Sequence, residues 1–153
     1  MKFSLTSTAF NEGQSIPAKY TGDGVDTSPP LAWTDPPSGT VSLALICEDP
    51  DAPVGTWTHW VLFNMPANLR KLDEGVSKEE TLADGSRQGK NDFKKIGYGG
   101  PAPPKGKPHR YYFKLYALDA KLDLPAGSSR KQLIAAMQGH ILGEGQLMGT
   151  YQR

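Results

Sequence analysis

The chain has 153 residues and a net charge of +1, with 37% hydrophobic and 22% charged residues. That length suits a single domain, residues 1–153, with a sizeable core, and the charge gives no global pull toward nucleic acid or an anionic membrane. Its only cysteine, Cys47, excludes an intrachain disulfide. No run approaches the ~18 apolar residues of a membrane span, nor does the start carry a signal-like apolar stretch, so cytoplasm is the expected compartment.

The 17 glycines and 13 prolines cut the chain into short elements. In chain order, alternation predicts strands at "FSLTSTAF" (3–10), "VSLALIC" (41–47), "HWVLFNM" (59–65) and "HRYYFKLYAL" (109–118). The proline pairs of "SPPLAW" and "DPPSG" mark loops or edges between the first two, because proline cannot serve a central ladder. Between the second and third strands, "CEDPDAPVGTWTHWVLFNMP" crowds Glu48, Asp49 and Asp51 with prolines, Trp57 and His59. A plain hairpin turn needs only two residues such as Asn-Gly, so this stretch reads as a long, rigid connection with chemistry of its own. From Arg87 to Arg110, seven basic residues (Arg87, Lys90, Lys94, Lys95, Lys105, Lys107, Arg110) face one acid, Asp92, which reads first as a solvated basic loop. "GPAPPKGKP" is a loop leading into the fourth strand. The single helix predicted is "SSRKQLIAAMQGHIL", capped by Ser128 or Ser129, with Leu133, Met137 and Ile141 on one face and a weak point at Gly139. A short last strand follows in "QLMGTYQR". Many strands with one late helix predict a mostly β protein: two packed antiparallel sheets in a Greek-key-like β-sandwich with a short C-terminal helix.

Period two places Trp57, His59, Val61 and Phe63 on one face of their strand, and His109, Tyr111, Phe113 and Leu115 on one face of theirs. In both, polar tips precede apolar residues on the same side, as at the mouth of a pocket at a sheet edge. If the two strands are neighbours, two imidazoles, a phenol and an indole converge. No nucleophile elbow, P-loop or complete dinucleotide fingerprint is found, so neither a cofactor nor a catalytic residue is nominated. A metal site from Asp49, His59 and His109 lacks the short paired spacing of such sites and ranks below hydrogen bonding. Cys47 reads as a buried thiol whose pKa its acidic neighbours raise.

Together, "DPDAP", "WTHW", "GYGGPAPP", "HRYYFKLYALD" and the ending "MQGHILGEGQLMGTYQR" resemble the bacterial and archaeal branch of the phosphatidylethanolamine-binding protein family, which includes the Raf kinase inhibitor-like proteins. The resemblance runs from about Phe3 to Arg153. It implies a two-sheet fold with a small pocket for anions and phosphorylated head groups. It places Asp49, Asp51 and Pro53 in a first pocket motif, Trp57 and His59 on the next strand, His109 and Tyr111 in a second motif, and Gly99 and Pro101 in the rim loop 97–101. It further implies a cis Ala52–Pro53 bond, with Gly55–Thr56 a second candidate, a homodimer, and regulation of a partner kinase or protease. Lys94 stands where the branch has glycine, and His140 is assigned to packing.

Acids in an anion pocket make sense if a carboxylate orients an imidazole and favours its charged form, whose other side donates to phosphate. A carboxylate and an indole would also suit an ammonium group. Three readings follow. The favoured one is a non-catalytic binder of small anionic or phosphorylated ligands. The alternatives are a hydrolase using His59 and His109 on a phosphoester or ester, and an interaction protein with a vestigial pocket.

Overall fold

The computed structural model describes residues 2–153. Two antiparallel sheets form the protein. The smaller joins β1 (Leu5–Thr6), β2 (Leu31–Trp33) and β5 (Lys71–Leu72) in the order β1-β2-β5. The larger joins β3 (Ser42–Ala52), β4 (Gly55–Pro66), β6 (Arg87–Gln88), β7 (His109–Leu118) and β8 (Ile141–Tyr151), in the order β6-β4-β3-β7-β8. The one α-helix among the described residues is α1 (Arg130–Met137). It is neither long nor apolar enough to cross a membrane.

The large sheet is covered on both faces, which explains the near-continuous apolar runs of its central strands. Leu43, Leu45, Trp60, Leu62, Phe113 and Leu115 pack toward the small sheet, against Leu5, Leu31 and Trp33. Ala44, Ile46, Val61 and Phe63 pack on the opposite side with Leu133 and Met137 of α1. Ser129 caps that helix in a reciprocal capping box with Gln132.

Several expectations need correction. The stretch from Cys47 to Pro66 is no long connection: β3 and β4 run through it and meet at a tight turn, with Ala52 opposite Gly55 and Pro53–Val54 between them. All peptide bonds among the described residues are trans, Ala52–Pro53 and Gly55–Thr56 included. Helix α1 stops at Met137 because Gly139 adopts φ +81°, and Ile141 opens β8 instead of extending the helical face. The first strand shrinks to Leu5–Thr6, and the last grows to eleven residues paired along the whole of β7. Glycines disguise that last strand. A Cβ at Gly145 would stand 2.6 Å from the Phe3 carbonyl oxygen, so the bare backbone is what lets the N-terminal segment cross.

Candidate functional site

The two histidine strands are not neighbours. β4 and β7 flank β3, and β3 contributes Asp49 between them. On β7 the period-two reading holds, with Tyr111, Phe113, Leu115 and Ala117 in the core between the sheets and His109 at the strand's start. On β4 it fails at one residue. Cys47 pairs with Trp60 and Glu48 with Thr58, leaving His59 as the extra residue of a β-bulge. Trp57 and Trp60 therefore share a face, whereas Val61 and Phe63 turn to the helix side. The bulge lets His59 and Trp60, adjacent in sequence, both turn away from the helix side, His59 into the cavity and Trp60 into the core.

That cavity, of about 230 Å³, is lined by Asp49, Pro53, Trp57, His59, His109 and Tyr111 from the two strand-end motifs. Ala52 and Val54 join them at the turn, and Phe93 with Ala102, Pro103 and Pro104 closes the other side. Of the residues expected from sequence, three lie elsewhere. Asp51 takes the bidentate grip of the Arg110 guanidinium, with Nη2 2.8 Å from Oδ1 and Nε 2.9 Å from Oδ2. Gly99 stands behind His59, and Pro101 is tied by its carbonyl to the amide of Gly22 at 2.8 Å. The wall given by Phe93 went unread in the sequence. Its only local signal is "KNDF", where the Asn91 side chain accepts from the amides of Phe93 and Lys95 and so folds the turn that presents the ring.

The imidazoles differ in the partner each Nδ1 has. Nδ1 of His109 lies 2.7 Å from Oδ2 of Asp49, whose side chain is only 4% exposed. Nδ1 of His59 lies 2.6 Å from the Gly99 carbonyl oxygen and must donate to it, since a carbonyl only accepts. Each ring keeps Nε2 free of that partner. Burial pushes the His59 pKa down, outweighing the Gly99 carbonyl and the Asp49 charge. Desolvation thus prevails at His59, while the expected carboxylate–imidazole pair forms at His109. Burial and the Asp49 charge raise the Tyr111 pKa, so its phenol stays protonated. Arg110 holds Asp51 at about 2, and burial pushes the Cys47 thiol up. Among the described residues, Trp57 Nε1 is the one buried side-chain nitrogen or oxygen without a hydrogen-bond partner.

Two residues singled out from sequence lie outside the cavity lining. Lys94 adopts φ +64°, the conformation that suits the glycine expected there. His140 is half-exposed and pairs through Nδ1 with Asp119 at 2.7 Å, so its assignment to packing is corrected to a surface pair. No cluster of metal-binding side chains is found among the described residues.

A family model described as phosphatidylethanolamine-binding protein matches residues 6–152. A UPF0098 protein of Methanothermobacter thermautotrophicus is 52% identical over 149 residues, covering 97% of this chain and 98% of that one. A UPF0098 protein of Aquifex aeolicus is 48% identical over 149 residues, covering 96% and 86%. Among solved structures, CT736 of Chlamydia trachomatis, described as a PEBP homolog, superposes with a TM-score of 0.90 at 43% identity, covering 99% of this chain and 98% of that one. E. coli YbcL, described as a new member of the mammalian PEBP family, superposes at 0.92 with 33% identity, covering 100% and 99%.

Proposed function

The chain belongs to the phosphatidylethanolamine-binding protein family, and from that premise we propose that its cavity is a non-catalytic binding site for small organic anions, phosphorylated head groups included. The observation that carries this reading is the Asp49–His109 pair at 2.7 Å. With Nδ1 held by the carboxylate, the free Nε2 of a protonated His109 is an oriented, charge-assisted donor. Trp57 holds a buried N–H without a partner beside the cavity, which a small turn of the indole would offer to an arriving oxygen as a second donor. Tyr111 lines the same cavity, its phenolic proton retained and drawn toward Asp49. His59 has the opposite role: its Nε2 lone pair suits the hydroxyl of a singly protonated phosphate. A protonated His109 balances the Asp49 charge, so the pair offers the anion no net negative charge.

The lining contains no serine, threonine, cysteine or lysine, so the hydrolase alternative would run through a water activated by His59 or His109. Regulation of a partner kinase or protease and assembly as a homodimer belong to the same reading, through the family alone. Calorimetry with methanesulfonate, wild type against Trp57→Phe, tests the site. The variant keeps an aromatic ring and loses the N–H, so binding should weaken by about fivefold to tenfold, as for loss of one hydrogen bond of ~1–1.5 kcal/mol. Equal affinities would count against the reading, and saturable phosphoester turnover abolished in both His59→Ala and His109→Ala would favour the enzyme instead.

A further inference from the structure

A second cavity, of about 170 Å³, lies beside the first and shares two of its walls, Phe93 and Ala102. It is lined further by Asp26, Lys78, Asn91, Ile96 and Tyr98. Its polar groups are mostly turned to one another. Asn91 accepts from the amides of Phe93 and Lys95 and donates to the Gly97 carbonyl. Asp26 Oδ1 accepts from the amide of Gly100 at 2.7 Å, and Lys78 Nζ donates to the Asp26 carbonyl at 3.2 Å. Tyr98 sends its hydroxyl to the Tyr20 carbonyl at 2.6 Å. What these groups leave to an occupant is contact area on the Tyr98 and Phe93 rings, Ile96 and Ala102, together with the Lys95 side chain, which also lines the cavity.

Of the two shared walls, Phe93 is the one with a side chain that can turn. Phe93 sets its edge against Trp57 and His59, with ring centroids 5.5 Å apart in both pairs, yet it is 38% exposed. Behind it, a Cβ at Gly99 would come within 2.7 Å of Phe93 Cδ2, so the glycine makes room for the ring where it now lies. A side chain with this much solvent beside it changes rotamer quickly. Its displacement joins the histidine end of the first cavity to the apolar walls of the second.

We propose that the two cavities are chambers of one site, with Phe93 as the movable wall, and that the rear chamber takes the aryl-tipped arm of an organic anion. The acidic end lies with His109 and Trp57 in the front chamber, which rests on the anion-binding reading above. The rear chamber is large enough for a phenyl ring, since an apolar cavity of roughly 150 Å³ accepts benzene. Phe93 then determines specificity. In place it restricts the site to small anions, and displaced it admits longer ones.

Calorimetry with methanesulfonate and 3-phenylpropanesulfonate tests this on the full chain. Wild type should bind the phenyl compound at least about tenfold more tightly, as burial of a ring predicts. Ile96→Trp, which fills the rear chamber, should remove that gain and leave methanesulfonate affinity unchanged. Phe93→Ala, at an exposed position, should enlarge the gain. Equal affinity of wild type for the two sulfonates, a gain that survives Ile96→Trp, or a gain unmoved by Phe93→Ala would overturn the two-chamber site. A gain lost as expected while methanesulfonate itself fails to bind would remove the front-chamber anion reading alone. If neither sulfonate binds, both fall.

Discussion

His59 and His109 face one cavity, but one Nδ1 meets a carbonyl and the other a carboxylate. The consequence for His59 is a lowered pKa, caused first by burial. In the unfolded chain an imidazole titrates near ~6.5, so as the pH falls below that value the unfolded state takes up its proton first. Stability from this residue is therefore complete above ~6.5 and is lost as the pH falls through the folded-state value. Chemical denaturation of His59→Gln, which cannot titrate, should show a flatter decline than wild type between about pH 7 and pH 5. Parallel curves would contradict burial of a neutral ring. Lys94 offers a second test at this scale. Its φ of +64° costs about 1 kcal/mol or more for a residue with a Cβ, offset in part by the greater unfolded-state freedom of glycine. Lys94→Gly should thus raise stability by up to ~1 kcal/mol, read as a higher denaturant midpoint.

Among the elements, β7 was legible because nothing interrupts its alternation from His109 to Ala117. β4 was legible as a strand but not in its facing, because the bulge at His59 is a pairing event with β3 that β4's own residues do not announce. Strand β8 was cut short in the reading because Gly143 and Gly145 weaken a strand signal, while the reason for Gly145 lies in distant chain. Gly145→Ala should destabilise by about 1–3 kcal/mol, because the new methyl meets the Phe3 carbonyl oxygen. Stability unchanged or raised, as when a glycine is replaced at an unstrained open site, would contradict that close crossing. For α1, the capping box was half visible in Ser129. Ser129→Ala should cost about 1 kcal/mol, measured the same way.

At the scale of the whole molecule, the large sheet works as a bracket. Its strands are fixed by core on both faces, and three of them deliver Asp49, His59 and His109 to one end. Six of the nine residues the motifs single out line one cavity because they sit at strand ends, where short segments stay together in space. The motifs carried the Phe93 wall poorly, because that ring reaches the site from a loop folded by its own asparagine. Two-fold association of the chain, expected from the family, would appear in light scattering as twice the chain mass at all working concentrations. A monomer mass throughout would remove it.

The proposed site turns on His109, held by Asp49, as the donor that binds the anion through Nε2. Titration calorimetry with methanesulfonate on wild type, His109→Ala and Lys105→Ala tests it most directly. Loss of one charged hydrogen bond predicts at least about tenfold weaker binding in His109→Ala, while removing the exposed, screened charge of Lys105 should change affinity by less than about twofold. Unchanged affinity in His109→Ala, or an equal loss in both variants, would contradict the account.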